Sequence, residues 1–326
     1  DRGGWMVRDT AEALADYASV VVERLGDRVR DWITLNEMSV QTLYGYALAD
    51  HAPGRALGFG ALPAAHHQLL AHGLAVQRLR AAGAERVGVA QQHFPVEPAS
   101  QTHEDLVAAG TFHAITTRLF SQPILAGSYP AELRPLIPVD DTQLAADLEL
   151  ISAPLDFYGV NYYEPVRIAA PRTGLDTEGA LEIDLPDDLP FAPVPYPSDE
   201  RTDFGWAIVP DGLTAVLTEL RANYPGMPPI VITEGGASFR DVPNADGTVH
   251  DPRRIAYLDA HIRAVADAVA AGVDVRGYYV WSAFDNFEWA AGYQERFGLV
   301  YVDYATQQRI RKSSWEWYRD LIAANA

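Results

Sequence analysis

Trp32-Ile-Thr-Leu-Asn-Glu37 is a short run of apolar and β-branched residues that ends in an amide and a carboxylate, and Ile230-Val-Ile-Thr-Glu234 repeats that arrangement far downstream. Both read as strands whose last residue is a functional group. A strand that is apolar along its length is covered on both faces, which is the condition of a parallel sheet flanked by helices. Working outward, the same alternation of strand and helix recurs along the chain. A helix is expected over 9–25, opened by an Asp9-x-x-Glu12 capping box and stopped at Gly26. Strands are expected over 32–37, 86–92, 156–163, 229–234 and 276–284. Helices are expected over 63–82, 104–120, 141–151, 213–223, 253–271 and 313–323.

Several of these strands end in polar or aromatic residues: Asn36-Glu37, Asn161-Tyr-Tyr163, Glu234, and Asp285-Asn-Phe-Glu-Trp289 beyond the last. Functional groups gathered at strand C-termini are what the catalytic face of a (β/α) barrel displays. A doubly wound open sheet is the structural alternative. The chain holds no Gly-x-Gly-x-x-Gly opening a helix, no phosphate loop and no nucleophile elbow, so nucleotide binding and the α/β-hydrolase arrangement lose their support.

Composition bounds the partners. The 326 residues are 48% hydrophobic and 21% charged, enough apolar material for a large core. Twenty-five basic against 44 acidic side chains give a net charge of −19, which repels phosphate backbones and acidic lipid, so neither nucleic acid nor membrane is an expected partner. The chain has no cysteine, which removes disulfides, thiolate nucleophiles and zinc-thiolate sites. No apolar run is long enough to cross a bilayer, and the expected location is cytoplasmic. Lys312 is the one lysine among many arginines.

The segment 164–205 is rich in proline and acid and is expected to be a long loop on the active-site side. Its acidic run, Asp184 to Asp188, reads as a solvated edge that as a lid would influence what enters. His66, His67 and His72 lie on one expected helix without a carboxylate ligand pattern, so packing is favoured over a metal. Two carboxylates presented from separate strand ends into one cleft form the arrangement that glycoside hydrolysis needs, one as proton donor and one as nucleophile or base. That chemistry needs no cofactor and no metal.

The segments Thr34-Leu-Asn-Glu37, Asn161-Tyr-Tyr163, Ile232-Thr-Glu-Gly-Gly236, Trp281-Ser-x-x-Asp-Asn-Phe-Glu-Trp289 and Gly292-Tyr-x-x-Arg-Phe-Gly298 resemble glycoside hydrolase family 1, the β-glucosidases. They stand in that family's order, and His51-Ala-Pro-Gly54, Asp203-Phe-Gly-Trp206 and Pro210-Asp-Gly-Leu213 resemble its connecting pieces. The resemblance spans the whole chain and implies a TIM (β/α)8 barrel acting as one catalytic domain, 1–326. It implies Glu37 as acid/base and Glu234 as nucleophile, and carboxyls about 5 to 5.5 Å apart would make the enzyme retaining.

By the same resemblance Asn36 bonds the sugar 2-hydroxyl, Tyr163 donates to Glu234, and Asn161 lines the same wall. Glu288 and Trp289 would contact hydroxyls on the far side of the sugar, Trp281 would form its floor, and Phe297 would lie near the entrance. Relatives that act on 6-phosphorylated sugars lack a carboxylate at the place of Glu288, so a non-phosphorylated β-D-glucoside, galactoside or fucoside is the implied substrate.

The sequence departs from the family at Gly235, where asparagine is usual, and at Met38, where proline is usual. The Gly235-Gly236 pair is expected to relax the backbone beside the nucleophile. The resemblance also implies roughly three further βα units ahead of Asp1, since five strands are found where eight close a barrel. An N-terminal fragment or second chain completing the barrel is therefore an expected partner, beside the small carbohydrate substrate. The reading from a different class is a non-catalytic remnant that binds carbohydrate or serves in assembly.

Overall fold

A computed structural model of the chain describes residues 2–181, 185–186 and 188–325. Asp184 and Asp187 of the acidic run lie outside them. The central sheet is built from β1 (Asp31–Asn36), β2 (Arg86–Gln92), β3 (Phe157–Asn161), β4 (Ile230–Gly235) and β5 (Val275–Val280). All neighbours pair in parallel, and the order across the sheet is the order along the chain. A doubly wound sheet reverses its order at a switch point, whereas a barrel advances one strand at a time. The strict progression selects the barrel, of which five strands are present among the described residues.

Helices alternate with the strands: α1 (Asp9–Leu25), α2 (Leu62–Ala81), α3 (His103–His113), α4 (Asp141–Ile151), α5 (Pro210–Asn223), α6 (Pro252–Ala270) and, after the last strand, α7 (Ser313–Asn325). The main core runs from Ala11 through Leu69, Leu70, Phe120, Val160 and Ile232 to Val273, so helices and sheet share one apolar interior. On α2 even the polar residues His66, Gln68 and His72 are buried.

The expected capping box does not form. The residue before α1 is Arg8 in helical conformation, and no side chain caps the helix. Its guanidinium is instead committed to Asp147 of α4, at 2.7 Å through Nη1, which ties the entry of α1 to the next helix layer. Real caps occur at Thr102, which accepts from the Asp105 backbone, and at Asp140, which accepts from Thr142 and Gln143.

The 164–205 segment is more ordered than a loop. Val166–Ala169 pairs in parallel with Val96–Pro98 and antiparallel with Ala192–Val194, a small second sheet over the C-terminal side of β2 and β3. Near the end of the chain, Val300–Val302 and Arg309–Arg311 form a hairpin that delivers Lys312 into the interior, where it is 1% exposed. Its ammonium meets Asp241 at 2.7 Å and Asp285 at 3.1 Å, beside Arg254, Asp251 and Arg296.

β1 and β5 each pair with one strand only among the described residues, leaving two open edges. Ile33 on β1 is 43% exposed and Tyr279 on β5 is 60% exposed, because nothing described packs against the sheet there.

Candidate active site

Register brings the functional side chains together. Asn36 is level with Ala90, Gln92 with Asn161, and Asn161 with Glu234, so the polar ends of β1 to β4 meet at one rim. Glu37 is held just past β1 by its own N–H, which donates to Ala90 O at 3.0 Å. Its backbone is left-handed, φ 49°, a conformation that costs a non-glycine residue of order 1 kcal/mol or more and persists only where the surroundings impose it. Met38, directly after it, is fully buried, so the residue that replaces the usual proline is a packing element.

Asn161 is the hub. Its Nδ2 donates to Glu37 Oε1 at 2.9 Å and to Asn36 Oδ1 at 3.0 Å, and its Oδ1 accepts from Thr233 Oγ1 at 2.5 Å. The expectation that Asn161 lines the wall needs correction: it is wholly buried beneath the cavity, where it positions the groups that do line it. Asn36 also bonds Glu234, and Tyr163 OH donates to Glu234 Oε2 at 2.7 Å.

Electrostatics separate the two carboxyls. Burial, then the charge of Glu234 and more weakly that of Glu288, pushes Glu37 up to about 8, against the downward pull of the Asn161 amide. The expected cause, the neighbouring charge, is thus real but second to desolvation. Burial is also the largest influence on Glu234 and leaves it above the usual carboxylate range, while Tyr163, Asn36 and Asn161 each bond its charged form and oppose that rise. Glu288 is raised by burial and lowered by its bond to Trp281.

Asn36, Glu37, Tyr163, Glu234, Trp281, Glu288, Trp289 and Phe297 all line one cavity of about 600 Å³. Phe297 is 2% exposed, set in a cluster with Tyr163, Phe204 and Trp206 rather than standing at an open entrance. Trp289 is 68% exposed.

The Gly235-Gly236 pair has a different cause from the one expected. Neither residue has a positive φ. A Cβ on Gly235 would come to 2.6 Å from the Tyr278 hydroxyl, and one on Gly236 to 1.9 Å from Trp281 O. Close approach demands the glycines, and the backbone beside Glu234 is wedged in place.

The histidines of α2 are absorbed by packing. His66 bonds Asp147 and Tyr129, each at 2.9 Å, His67 bonds Trp5 O, and His72 bonds Thr34 Oγ1. Among the described residues no cluster of three or more such side chains could hold a metal, and no helix is long and apolar enough to cross a membrane. Sequence reading missed Thr233, whose place beside Glu234 in a strand end was its only signal. It also gave no role to Asp285, which bonds Lys312 and Arg296 under the loop bearing Glu288.

A parallel βα barrel sheet with two donor-supported carboxyls brought to one cavity from the ends of β1 and β4 defines a site of the glycoside-hydrolase type. The family model described as Glycosyl hydrolase family 1 matches residues 1–326, and the chain belongs to that family. It is 44% identical over 335 residues to the thermostable beta-glucosidase B of Thermobispora bispora, covering 100% of this chain and 65% of that protein. It is 41% identical to the bifunctional beta-D-glucosidase/beta-D-fucosidase of Bifidobacterium breve, covering 98% of this chain and 70% of that one. The crystal structure of the psychrophilic beta-glucosidase BglU from Micrococcus antarcticus superposes with a TM-score of 0.92 at 42% identity, covering 99% of this chain and 71% of that chain. The chain thus spans about two thirds of the length of these relatives.

Proposed function

We propose that this chain carries the catalytic centre of a retaining β-glycosidase acting on non-phosphorylated β-D-glucosides, with galactosides and fucosides as the neighbouring choices. The observation that carries the reading is the contrast at one rim: Glu37 holds its proton up to about 8, while Glu234 is surrounded by three donors to its charge. A carboxyl that stays protonated at neutral pH is a general acid, and a carboxylate oriented by hydrogen bonds is a nucleophile.

Glu234 attacks the anomeric carbon as Glu37 gives its proton to the glycosidic oxygen, and the aglycone leaves as an alcohol. Esterification removes the Glu234 charge, which lowers the Glu37 pKa and turns it into the base for the second step. Water then gives a proton to Glu37 and attacks the same carbon, Glu234 departs, and the β configuration is retained. Asn36 reaches the 2-hydroxyl, Trp281 faces the C–H surface of the sugar, and Glu288 and Trp289 reach its far hydroxyls. A carboxylate at 288 and the −19 charge oppose a phosphorylated sugar. The naming of the Bifidobacterium relative as a glucosidase and fucosidase agrees with a glycone site tolerant at the 4- and 6-positions, where the two sugars differ.

Azide rescue tests the roles. Glu234→Gly with azide should return an α-glycosyl azide and Glu37→Ala a β-glycosyl azide; the same anomer from both would overturn the assignment.

The open edges of β1 and β5 support a further condition. Full turnover requires strands that pair with those edges and complete the glycone subsite, supplied by a longer form of the chain, an N-terminal fragment or a second chain. Turnover by the isolated, monomeric chain at the rate of its full-length relatives would refute that condition.

A further inference from the structure

The cavity continues past the glutamates on the side of Glu37. There its wall is Leu43, Phe94, Phe112, Ile115, Leu119 and Phe191, contributed by the segment after Glu37, the segment after β2, the α3 region and the 164–205 segment. The wall is built rather than draped. The Phe112 and Phe191 rings meet edge to face with centroids 5.1 Å apart, and Phe94 packs on Phe112 at 6.0 Å. Phe191 directly precedes the strand Ala192–Val194, which is fixed in the second sheet.

Three polar side chains beside this wall each spend a hydrogen bond on the protein itself. Thr42 Oγ1 accepts from Gln68 at 2.8 Å, Thr116 Oγ1 donates to Phe112 O at 2.8 Å, and His93 Nε2 is bonded to Tyr158 OH at 3.0 Å. A second sugar seated against these six apolar side chains would bury much of its hydroxyl-bearing surface without partners. A hydrocarbon would bury apolar area against rings and branched chains at no such cost.

The side matters chemically. Resting on the glycosidase reading above, the leaving-group oxygen takes its proton from Glu37, so the leaving group lies where this wall begins. We infer that the site is shaped for β-glycosides of apolar alcohols, with the hydrocarbon seated against Phe112, Ile115 and Phe191, and that sugar-linked glycosides are disfavoured. Phe191 and Ile115 are then specificity-determining residues.

The test is binding, which needs no turnover. Calorimetric titration of the full chain with n-octyl β-D-thioglucoside, kept below its micellar concentration, is compared with methyl β-D-thioglucoside and thiocellobiose. The octyl ligand should bind at least about tenfold tighter than the methyl one, and thiocellobiose no tighter than the methyl one. Phe191→Gln should erase the octyl preference. Leu189→Gln, a half-buried neighbour on the same wall, should reduce it and serves if the first variant does not fold. Tyr279→Ser, on the open sheet face, should leave the preference intact. Octyl binding no tighter than methyl binding, or a preference that is lost with Tyr279 and kept without Phe191, would overturn the inference. Aryl β-glucosides assayed in parallel report separately on hydrolysis: their failure alone counts against the glycosidase reading, while the binding ratio still decides this one.

Discussion

The Tyr163 hydroxyl donates to Glu234 Oε2 at 2.7 Å, and burial raises the pKa of both groups. Within a desolvated pocket this bond favours the charged carboxylate, since the phenol supplies a proton donor that water no longer can. Tyr163→Phe removes one of the three donors opposing desolvation. The Glu234 pKa should rise, the acid limb of the kcat/KM profile for an aryl β-glucoside should move to higher pH, and kcat should fall by about tenfold or more. A lower rate with an unmoved acid limb would mean that Tyr163 acts by shape alone.

Glu37 makes a prediction that needs no catalysis. Its carboxyl sits at about 8 in the folded chain, against an ordinary value of about 4.3 when unfolded. Between those values the folded state holds a proton that the unfolded state has released, so this group lowers stability as pH rises through that window. Glu37→Gln cannot titrate and escapes the loss. Thermal melts should show the variant gaining on the parent from about pH 4 to about pH 8, by up to a few kcal/mol. A gain that is flat with pH would place the carboxyl near its ordinary value.

The contact between Gly235 and Tyr278 predicts a coupled pair. Gly235→Ala drives a Cβ into the Tyr278 hydroxyl, 2.6 Å away, and should cost about 1 to 3 kcal/mol in urea unfolding. That hydroxyl is buried and has no hydrogen-bond partner among the described residues, so Tyr278→Phe alone should be neutral or stabilising. In the double variant most of the loss should disappear. Simple additivity would show that the clash is relieved elsewhere.

Lys312 predicts the largest structural effect. Lys312→Met leaves Asp241 and Asp285 buried with one cation fewer and should cost about 3 kcal/mol. Adding Asp241→Asn should return part of it. A cost under about 1 kcal/mol would mean that water reaches the cluster.

Much of this was legible in the chain because strand and function share a signal. Apolar runs closed by Glu37, Asn161 and Glu234 marked both the sheet and the rim of the candidate site, and polar groups gathered at strand ends pointed to a barrel that the strand order in the structure then selected. What stayed hidden depends on distance through space. A strand ending cannot say whether Asn161 faces the cavity or supports it from below. The three-residue strands around Ala192–Val194 are too short to carry a period and exist because their partners supply the hydrogen bonds. Gly235 looked like freedom beside Glu234, and only the approach of Tyr278, far along the sequence, reveals a steric demand. The apolar wall beyond Glu37 combines residues from four separate segments, none distinctive alone.

The burial of Lys312 reaches beyond stability. Because the sole lysine is sealed in the interior, every positively charged side chain at the surface is arginine or histidine. Reagents that seek lysine amines, whether cross-linkers, dyes, activated resins or glycating sugars, find no side chain to attack on the folded molecule. Side-chain attachment would run through the abundant carboxylates instead, and labelling of Lys312 would become a direct report of unfolding.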